Sequence, residues 1–492
     1  MDFSSSFLVI RPELILTAAG LILLLWTAWA GDKHARPIAI VAVAAFFTAG
    51  IFTVPGLHLG ATGPDTLAFG GLLKVDTFAL FAKALIYLAA IGCLMVAPAF
   101  FNSAAAGSER VMRAEYSVLV LFAALGMSIM VSANDFMALY LGLELNSLAA
   151  YVLASILRED TRSAEAGLKY FVLGALASGI LLYGMSLLYG FTGSTDFAGV
   201  RAALTGEIGT GALFGLIFVM AGLAFKIAAV PFHMWTPDVY QGAPTPVTAF
   251  FATAPKVAAV ALTARVVFDV FGAQVAAWQQ IVMFTALASI VFGALGAIGQ
   301  ENLKRLLAYS SINNVGFILL GLAVASPAGA SAMLVYLFIY VVMSLGSFTA
   351  LLMLRSEDGD LYETLGDISG LAVTRPAIAL ALSLLMFSLA GIPPLFGFYS
   401  KFVVFQATVD AGLVAFAAIA IAASVIGAFY YIKVVKVICF DEQAGVVTGE
   451  SGAAHWVLLA ITVAIISPLG YLLSKPLSDL ADKAASVLFL AV

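Results

Sequence analysis

The run Gly211-Ala212-Leu213-Phe214-Gly215-Leu216-Ile217-Phe218-Val219-Met220-Ala221-Gly222-Leu223-Ala224-Phe225-Lys226-Ile227-Ala228-Ala229-Val230-Pro231 carries one charge, Lys226. The hydrocarbon core of a bilayer is about 30 Å thick and takes roughly 20 apolar residues in a helix to cross. This stretch reads as a membrane span with a lysine far from either surface and a proline that ends it. The rest of the chain agrees. Of 492 residues, 63% are hydrophobic and 10% are charged. Soluble domains run about 45–50% apolar and about 25% charged, so a soluble globule of this composition could not cover its surface. Gly and Pro show no short period and there are two Cys, which excludes collagen, disordered tails and disulfide scaffolds. The class that remains is an all-α polytopic membrane protein.

Apolar runs between polar breaks predict about 14 transmembrane helices, near 12–30, 37–56, 76–100, 114–132, 135–157, 163–191, 209–241, 246–270, 276–298, 303–325, 328–354, 376–409, 412–438 and 454–473. The first lacks the basic start and cleavage site of a signal peptide. The tail after Lys475 reads as an interfacial segment. Four parts follow: a three-helix segment 1–113, five-helix blocks 114–272 and 273–440, and a helix and tail 441–492. The blocks are similar in length, and each holds a lysine in a broken helix, Lys226 and Lys401. Five helices reverse direction from one block to the next, which allows an inverted repeat.

Several functions have no residues to carry them. Cys93 and Cys439 are too few for an iron–sulfur cluster, which usually needs four thiolates. Three of the four His lie in polar connections. No Gly-Lys dipeptide occurs, so there is no Walker A loop, and Gly209, Gly211 and Gly215 miss the dinucleotide spacing. The sequence predicts no redox centre, metal or nucleotide in this chain. Its net charge of −5 gives no reason to expect nucleic acid.

Basic residues orient the bundle, because they favour the cytoplasmic side. The odd-numbered connections hold Lys33, Arg36, Arg110, Arg113, Arg158, Arg162, Lys304, Arg305, Arg355, Arg375, Lys433 and Lys436. The even-numbered ones and both ends hold Arg11, Lys74, Arg201, Lys475 and Lys483. Twelve against five predicts both termini on the outer, periplasmic side. Six of the 23 basic residues then fall inside predicted helices. Lys83, Lys169 and Arg265 lie within about two turns of a helix end, where long side chains snorkel to the interface. Lys226, Lys256 and Lys401 lie near helix centres. Among 28 acidic residues, Glu144 alone falls near a helix centre.

A charge at the bilayer centre costs about 2.5–3.5 kcal/mol on insertion scales. One reading is a structural ion pair between Glu144 and a lysine, but it leaves two lysines without a deep acid. In low dielectric a buried ammonium is disfavoured and a nearby carboxylate favours it, so lysines in this setting can exchange protons. Tyr140, Glu144, Ser147 and Tyr151 recur along one helix face. Each deep lysine also lies close to a proline, which removes an amide donor and frees a carbonyl one turn back. Pro231 frees Ile227, Pro255 frees Phe251, and Pro393 with Pro394 frees Leu389 and Ala390. Broken helix inside a bilayer persists only where protein or a water-filled cavity satisfies it, and discontinuous helices at mid-membrane are a transporter feature.

Secondary candidates follow. His233 lies seven residues from Lys226, titrates near neutrality and suits a relay, or is a hydrogen-bonded structural histidine. Lys304 sits in the charged run Gln300-Glu301-Asn302-Leu303-Lys304-Arg305, either snorkelling or relaying. Ser310, Ser311, Asn313 and Asn314 read as a hydrated strip. Sodium needs oxygen ligands, which ammonium groups do not offer, so the transported ion is expected to be H⁺.

The stretch Phe225-Lys226-Ile227-Ala228-Ala229-Val230-Pro231-Phe232-His233-Met234-Trp235-Thr236-Pro237-Asp238 resembles the signature of the antiporter-like membrane subunits of respiratory complex I. So does Gly391-Ile392-Pro393-Pro394-Leu395-Phe396-Gly397-Phe398-Tyr399-Ser400-Lys401-Phe402. The run Asp238 to Thr248 looks like the N-type branch of that family. The M-type branch typically has a carboxylate where Lys401 stands, and the L-type is longer, with a lateral helix. The resemblance implies 14 helices with two inverted five-helix repeats, broken at the seventh and twelfth. It makes Glu144 the fifth-helix acid, Lys226 the seventh-helix lysine, Lys256 the central eighth-helix lysine and Lys401 the exit lysine. His233, Lys169 and Lys304 match secondary positions. It implies proton translocation driven by NADH-to-quinone electron transfer in other subunits, with FMN and iron–sulfur clusters held there. The implied partners are an M-type subunit and small K-, J- and A-type subunits in a bacterial inner membrane. Subunits of cation/proton antiporters and of membrane-bound hydrogenases share these motifs, and an autonomous solute transporter is a further class.

Overall fold

The computed structural model describes residues 3–62, 66–101, 112–356, 361–444 and 452–490. In chain order the helices are α1 Phe3–Val9, α2 Arg11–Ala30, α3 Ala35–Leu59, α4 Thr77–Phe101, α5 Glu115–Ser132, α6 Phe136–Ala154 and α7 Thr161–Thr192. Next come α8 Phe197–Ala203, α9 Thr210–Ile227, α10 Trp235–Gly242, α11 Thr245–Phe251, α12 Ala254–Arg265, α13 Val275–Ile298 and α14 Leu303–Ala323. The last are α15 Pro327–Leu352, α16 Leu371–Thr374, α17 Pro376–Ala390, α18 Phe396–Asp410, α19 Val414–Phe440, α20 Ala453–Ile466 and α21 Ser474–Val487. A short hairpin, β1 Leu67–Ala68 against β2 Leu73–Lys74, precedes α4.

Eleven described helical runs are long and apolar enough to cross a membrane, or up to 13 if each of two bent pairs counts as one span. The first run, Arg11–Leu59, has 49 residues, roughly 74 Å at 1.5 Å per residue. That is more than twice the hydrocarbon thickness of about 30 Å. It turns at Gly31, whose φ of +63° suits glycine, and α2 then packs along α3.

Burial sorts the helices. The apolar stretches of α14, α15 and the α11–α12 run are 94% buried, whereas those of α2–α3 and α19 are 33% buried. The centre is therefore α11, α12, α14 and α15, and the outer helices present leucines such as Leu21, Leu25 and Leu141 where lipid replaces water. The connections fall into two groups. Backbone bridges tie Leu73 to Ala133 and Asp135 to Asp196, joining the second, fourth and sixth. Asn302 bridges Thr364, Arg113 pairs with Asp32 and Arg162 with Glu363, joining odd-numbered ones. Arg110, counted in the charge bias, lies outside the described residues.

The prolines act where the sequence places them. α9 stops at Ile227 with Ala228 in the left-handed region (φ 63°), and the helix resumes at Trp235. α17 stops at Ala390 with Gly391 at φ +81° and resumes at Phe396. The 246–270 run is interrupted at Ala252–Thr253 and ends in a π-turn, Val266–Val270. The span read to 473 is shorter, because α20 stops at Ile466 and Pro468 opens a 3₁₀ turn. α21 then packs against α15 and α4, and Leu477, Ala481 and Ala484 are among its buried residues.

Candidate functional site

The polar face of α6 meets the end of α9. Lys226 Nζ donates to Ser147 Oγ at 2.7 Å and lies 3.5 Å from the Tyr151 hydroxyl. Ser147 passes its own hydrogen back to the Leu143 carbonyl at 2.6 Å. Glu144, one turn before Ser147, acts on Lys226 through space. The two form no ion pair; Lys226 meets Ser147 instead. Glu144 Oε1 is shielded and has no hydrogen-bond partner among the described residues.

Three of the four freed carbonyls accept from side chains. Ile227 O, released by Pro231, accepts from Lys256 Nζ at 2.6 Å. Phe251 O, released by Pro255, accepts from the Tyr240 hydroxyl at 3.0 Å. Ala390 O, released at the second break, accepts from Lys401 Nζ at 2.9 Å, and Lys401 also donates to Ser424 Oγ at 3.0 Å. Lys401 Nζ sits 4.8 Å from the centre of the Phe317 ring, close enough for a cation–π contact. Glycine is required at 391 twice over: its φ is positive, and a Cβ there would lie 2.8 Å from Lys401 Cδ. Lys256 is 2% exposed and Lys401 6%.

The secondary candidates separate. Lys304 does not snorkel: it is buried, donates to Ala243 O at 3.1 Å and pairs with Glu363 Oε1 at 3.1 Å. Lys169 does reach the surface, where it pairs with Glu165 at 2.7 Å and Asp238 at 2.8 Å, and Asp238 also holds Arg305. His233 stands half-buried in the first break, its Nδ1 without a hydrogen-bond partner among the described residues. The strip on α14 is bonded to protein. Ser310 pairs with Tyr431 at 2.5 Å, Ser311 with Tyr340 at 2.8 Å, and the Tyr336 hydroxyl donates to Asn314 at 2.7 Å. Asn313 donates to Ile290 O at 2.7 Å. A hydroxyl and amide network therefore links α14 to α15 and α19.

Two expectations of snorkelling fail. Lys83 is fully buried and pairs with Glu13 at 2.6 Å. Arg265 is fully buried and holds Asp76 at 2.7 Å, Asp269 at 2.9 Å and the Val131 carbonyl at 3.0 Å. The missed acids stand at helix ends, Glu13 in the first turn of α2, Asp76 just before α4 and Asp269 in the π-turn. There they point inward, so distance from a helix end misjudged the depth of their partners. The i, i+4 spacing of Arg265 and Asp269 is the signal that could have found that pair.

Thus the three central lysines are held by neutral oxygens, and none of them forms an ion pair among the described residues. Such an arrangement can take up and release protons without losing its hydrogen bonds. Among the described residues no group of three or more His, Cys, Asp and Glu could hold a metal ion.

Residues 133–427 match the family model described as NADH:quinone oxidoreductase/Mrp antiporter, TM. A protein of Erythrobacter litoralis named NADH-quinone oxidoreductase subunit N is 68% identical, covering 100% of both chains. One of the same name from Sphingopyxis alaskensis is 56% identical over 98% of this chain and 99% of its own. Among solved structures, a chain of respiratory complex I from Thermus thermophilus aligns with a TM-score of 0.77 at 30% identity, covering 94% of this chain and 98% of that one. The Mrp complex from Dietzia matches the fold at 24% identity with a TM-score of 0.82, over 100% of this chain and 98% of that one.

Proposed function

This chain belongs to the NADH:quinone oxidoreductase/Mrp antiporter transmembrane family, and from that premise we propose that it is the N-type, proton-translocating membrane-arm subunit of an NADH–quinone oxidoreductase. The observation that carries the mechanism is the contact of Lys256 Nζ with the Ile227 carbonyl, which seats one deep lysine beside the residue that follows another, Lys226. In this reading a proton enters the row at Lys226, under the influence of Glu144, passes through Lys256 and leaves by Lys401 toward the outer side. The hydroxyl network on α14 is the proposed link between the last two, supported at one end by Phe317 of the same helix, whose ring lies against Lys401. His233, Lys169 and Lys304 serve access rather than the central row. Among them, Lys304 is the buried one.

Redox energy must come from partner subunits holding FMN and iron–sulfur clusters, because moving one charge against 100 mV takes about 2.3 kcal/mol and nothing in this sequence supplies it. The M-type and small K-, J- and A-type subunits are the proposed neighbours, in a bacterial inner membrane with both termini outside. The proposed count is 14 spans, with α2 and α3 taken separately and each bent pair taken as one. The division at 113, 272 and 440 into a three-helix segment, two inverted repeats and a C-terminal part is supported by one lysine-bearing break in each block.

The test uses the assembled complex in inside-out membrane vesicles. Lys256→Met should abolish NADH-driven proton uptake. Lys436→Gln, at an exposed lysine paired with Asp441, should leave it unchanged. Parental pumping by Lys256→Met would sink the central route.

A further inference from the structure

We propose that Glu363 is the cytoplasmic proton collector of this chain, loading Lys304 from a water-holding crevice; the proposal rests on the proton-translocating reading above. The crevice is about 280 Å³ and is lined by Asp160, Arg162, Gln241, Lys304, Glu363 and Asp367, among others. Liquid water occupies about 30 Å³ per molecule, so several fit, and the polar lining gives them partners. The crevice opens among the odd-numbered connections, the side that the basic residues assign to the cytoplasm.

Glu363 stands between that water and the protein interior. Its Oε1 lies 3.1 Å from Lys304 Nζ, and its Oε2 lies 3.3 Å from Arg162 Nη1. Exposure falls along this line, from 64% for the Arg162 side chain to 21% for Glu363 and 6% for Lys304. The carboxylate is also held in place. Its backbone amide donates to Asp367 Oδ2 at 3.2 Å, and its carbonyl accepts from the amide of Leu303, the residue before Lys304, at 2.7 Å. Asp160 lies 3.9 Å from the Arg162 guanidinium, and Asp238 and Arg305 pair nearby at 2.6 Å.

Polar contacts continue inward. Ala243 O, which holds Lys304, also lies 3.4 Å from the Thr248 hydroxyl. Thr248 donates to Tyr240 O at 3.0 Å, and the Tyr240 hydroxyl reaches the carbonyl that Pro255 releases beside Lys256. The proton balance is simple. A hydronium ion gives its proton to the Glu363 carboxylate and leaves as water. The acid then gives a proton to Lys304 once that lysine has lost its own inward, which restores the carboxylate and the ammonium.

A purely structural ion pair makes different predictions, so the test uses four variants of the whole complex in inside-out vesicles, whose cytoplasmic face meets the medium. Glu363→Gln should slow NADH-driven proton pumping while the complex assembles, and Glu363→Asp should slow it less. Pumping by Glu363→Ala should recover when formate is added to the medium, because a small diffusible carboxylate can stand in for the missing one. The double variant K304M/E363M should assemble but remain impaired with or without formate. Parental pumping by Glu363→Gln overturns the proposal, as does a double variant that pumps normally, since either outcome makes the pair structural. The two ideas fail separately: if Lys256→Met loses pumping while Glu363→Gln keeps it, the inlet falls and the lysine row stands. If Lys256→Met also pumps normally, the proton-translocating reading falls first.

Discussion

Lys83 and Lys256 are both buried lysines, yet the N-terminal segment and the central row hold them by different chemistry. Lys83 faces the Glu13 carboxylate at 2.6 Å, and nearby Arg265 faces two aspartates. Lys256 and Lys401 face backbone carbonyls released by prolines. A carboxylate opposite an ammonium favours the charged form, and a pair shut away from water, as Lys83 and Glu13 are, stays in one state; the Glu363–Lys304 pair differs in lining a water-holding crevice. A carbonyl accepts from an ammonium or from a neutral amine alike, since the amine keeps two hydrogens. In the proposed route buried charge is thus a clamp in one region and a carrier in the other, and what decides between them is the partner and its reach to water rather than the depth.

The contrast predicts opposite mutant behaviour. The largest effect is expected at the carrier end, where Lys401→Met should leave an assembled complex with no proton uptake in vesicles. Retained pumping would place the exit elsewhere. At the clamp, Glu13→Met leaves Lys83 buried and unpaired, which typically destabilises by about 3–5 kcal/mol. The yield of assembled complex should collapse, then recover in E13M/K83M with pumping intact, as read by native gels and proton uptake. If that double variant assembles but fails to pump, Lys83 is a carrier too and the distinction dissolves.

Smaller changes sharpen the comparison. Ser424→Asp would place a carboxylate beside Lys401 and convert a carrier site into a clamp. Pumping should slow while assembly is kept, and an unchanged rate would show that the neutral partner is unimportant. The backbone at the two breaks gives the smallest effects. Gly391→Ala meets both a positive φ and the Lys401 side chain, so it should slow pumping and lower thermal stability by about 1–2 kcal/mol. Ala228→Gly, at φ 63°, should raise stability slightly and leave pumping alone.

Much of the carrier region was legible in the sequence. A lysine amid twenty apolar residues and a proline beside it are local facts, and the chemistry of proline names the carbonyl that loses its donor. That is why Ile227, Phe251 and Ala390 were identifiable before their partners were. The partners themselves were not, because Lys256 reaches Ile227 across 29 residues and Tyr240 reaches Phe251 across 11. The clamp region was misread for a related reason. Glu13, Asp76 and Asp269 lie near helix ends, where position along the chain gives depth but not the direction a side chain points.

The last helix has a bearing on how the protein is made. α21 begins at Ser474 and covers α4, which ends at Phe101. At a synthesis rate of about 5–20 residues per second, the intervening chain takes roughly 20–75 s to emerge. For that interval the flank of α4 that α21 will cover is without its final cover, and it must be shielded by lipid or by an insertion factor. The flank of α4 is therefore complete only once α21 has emerged and seated against it.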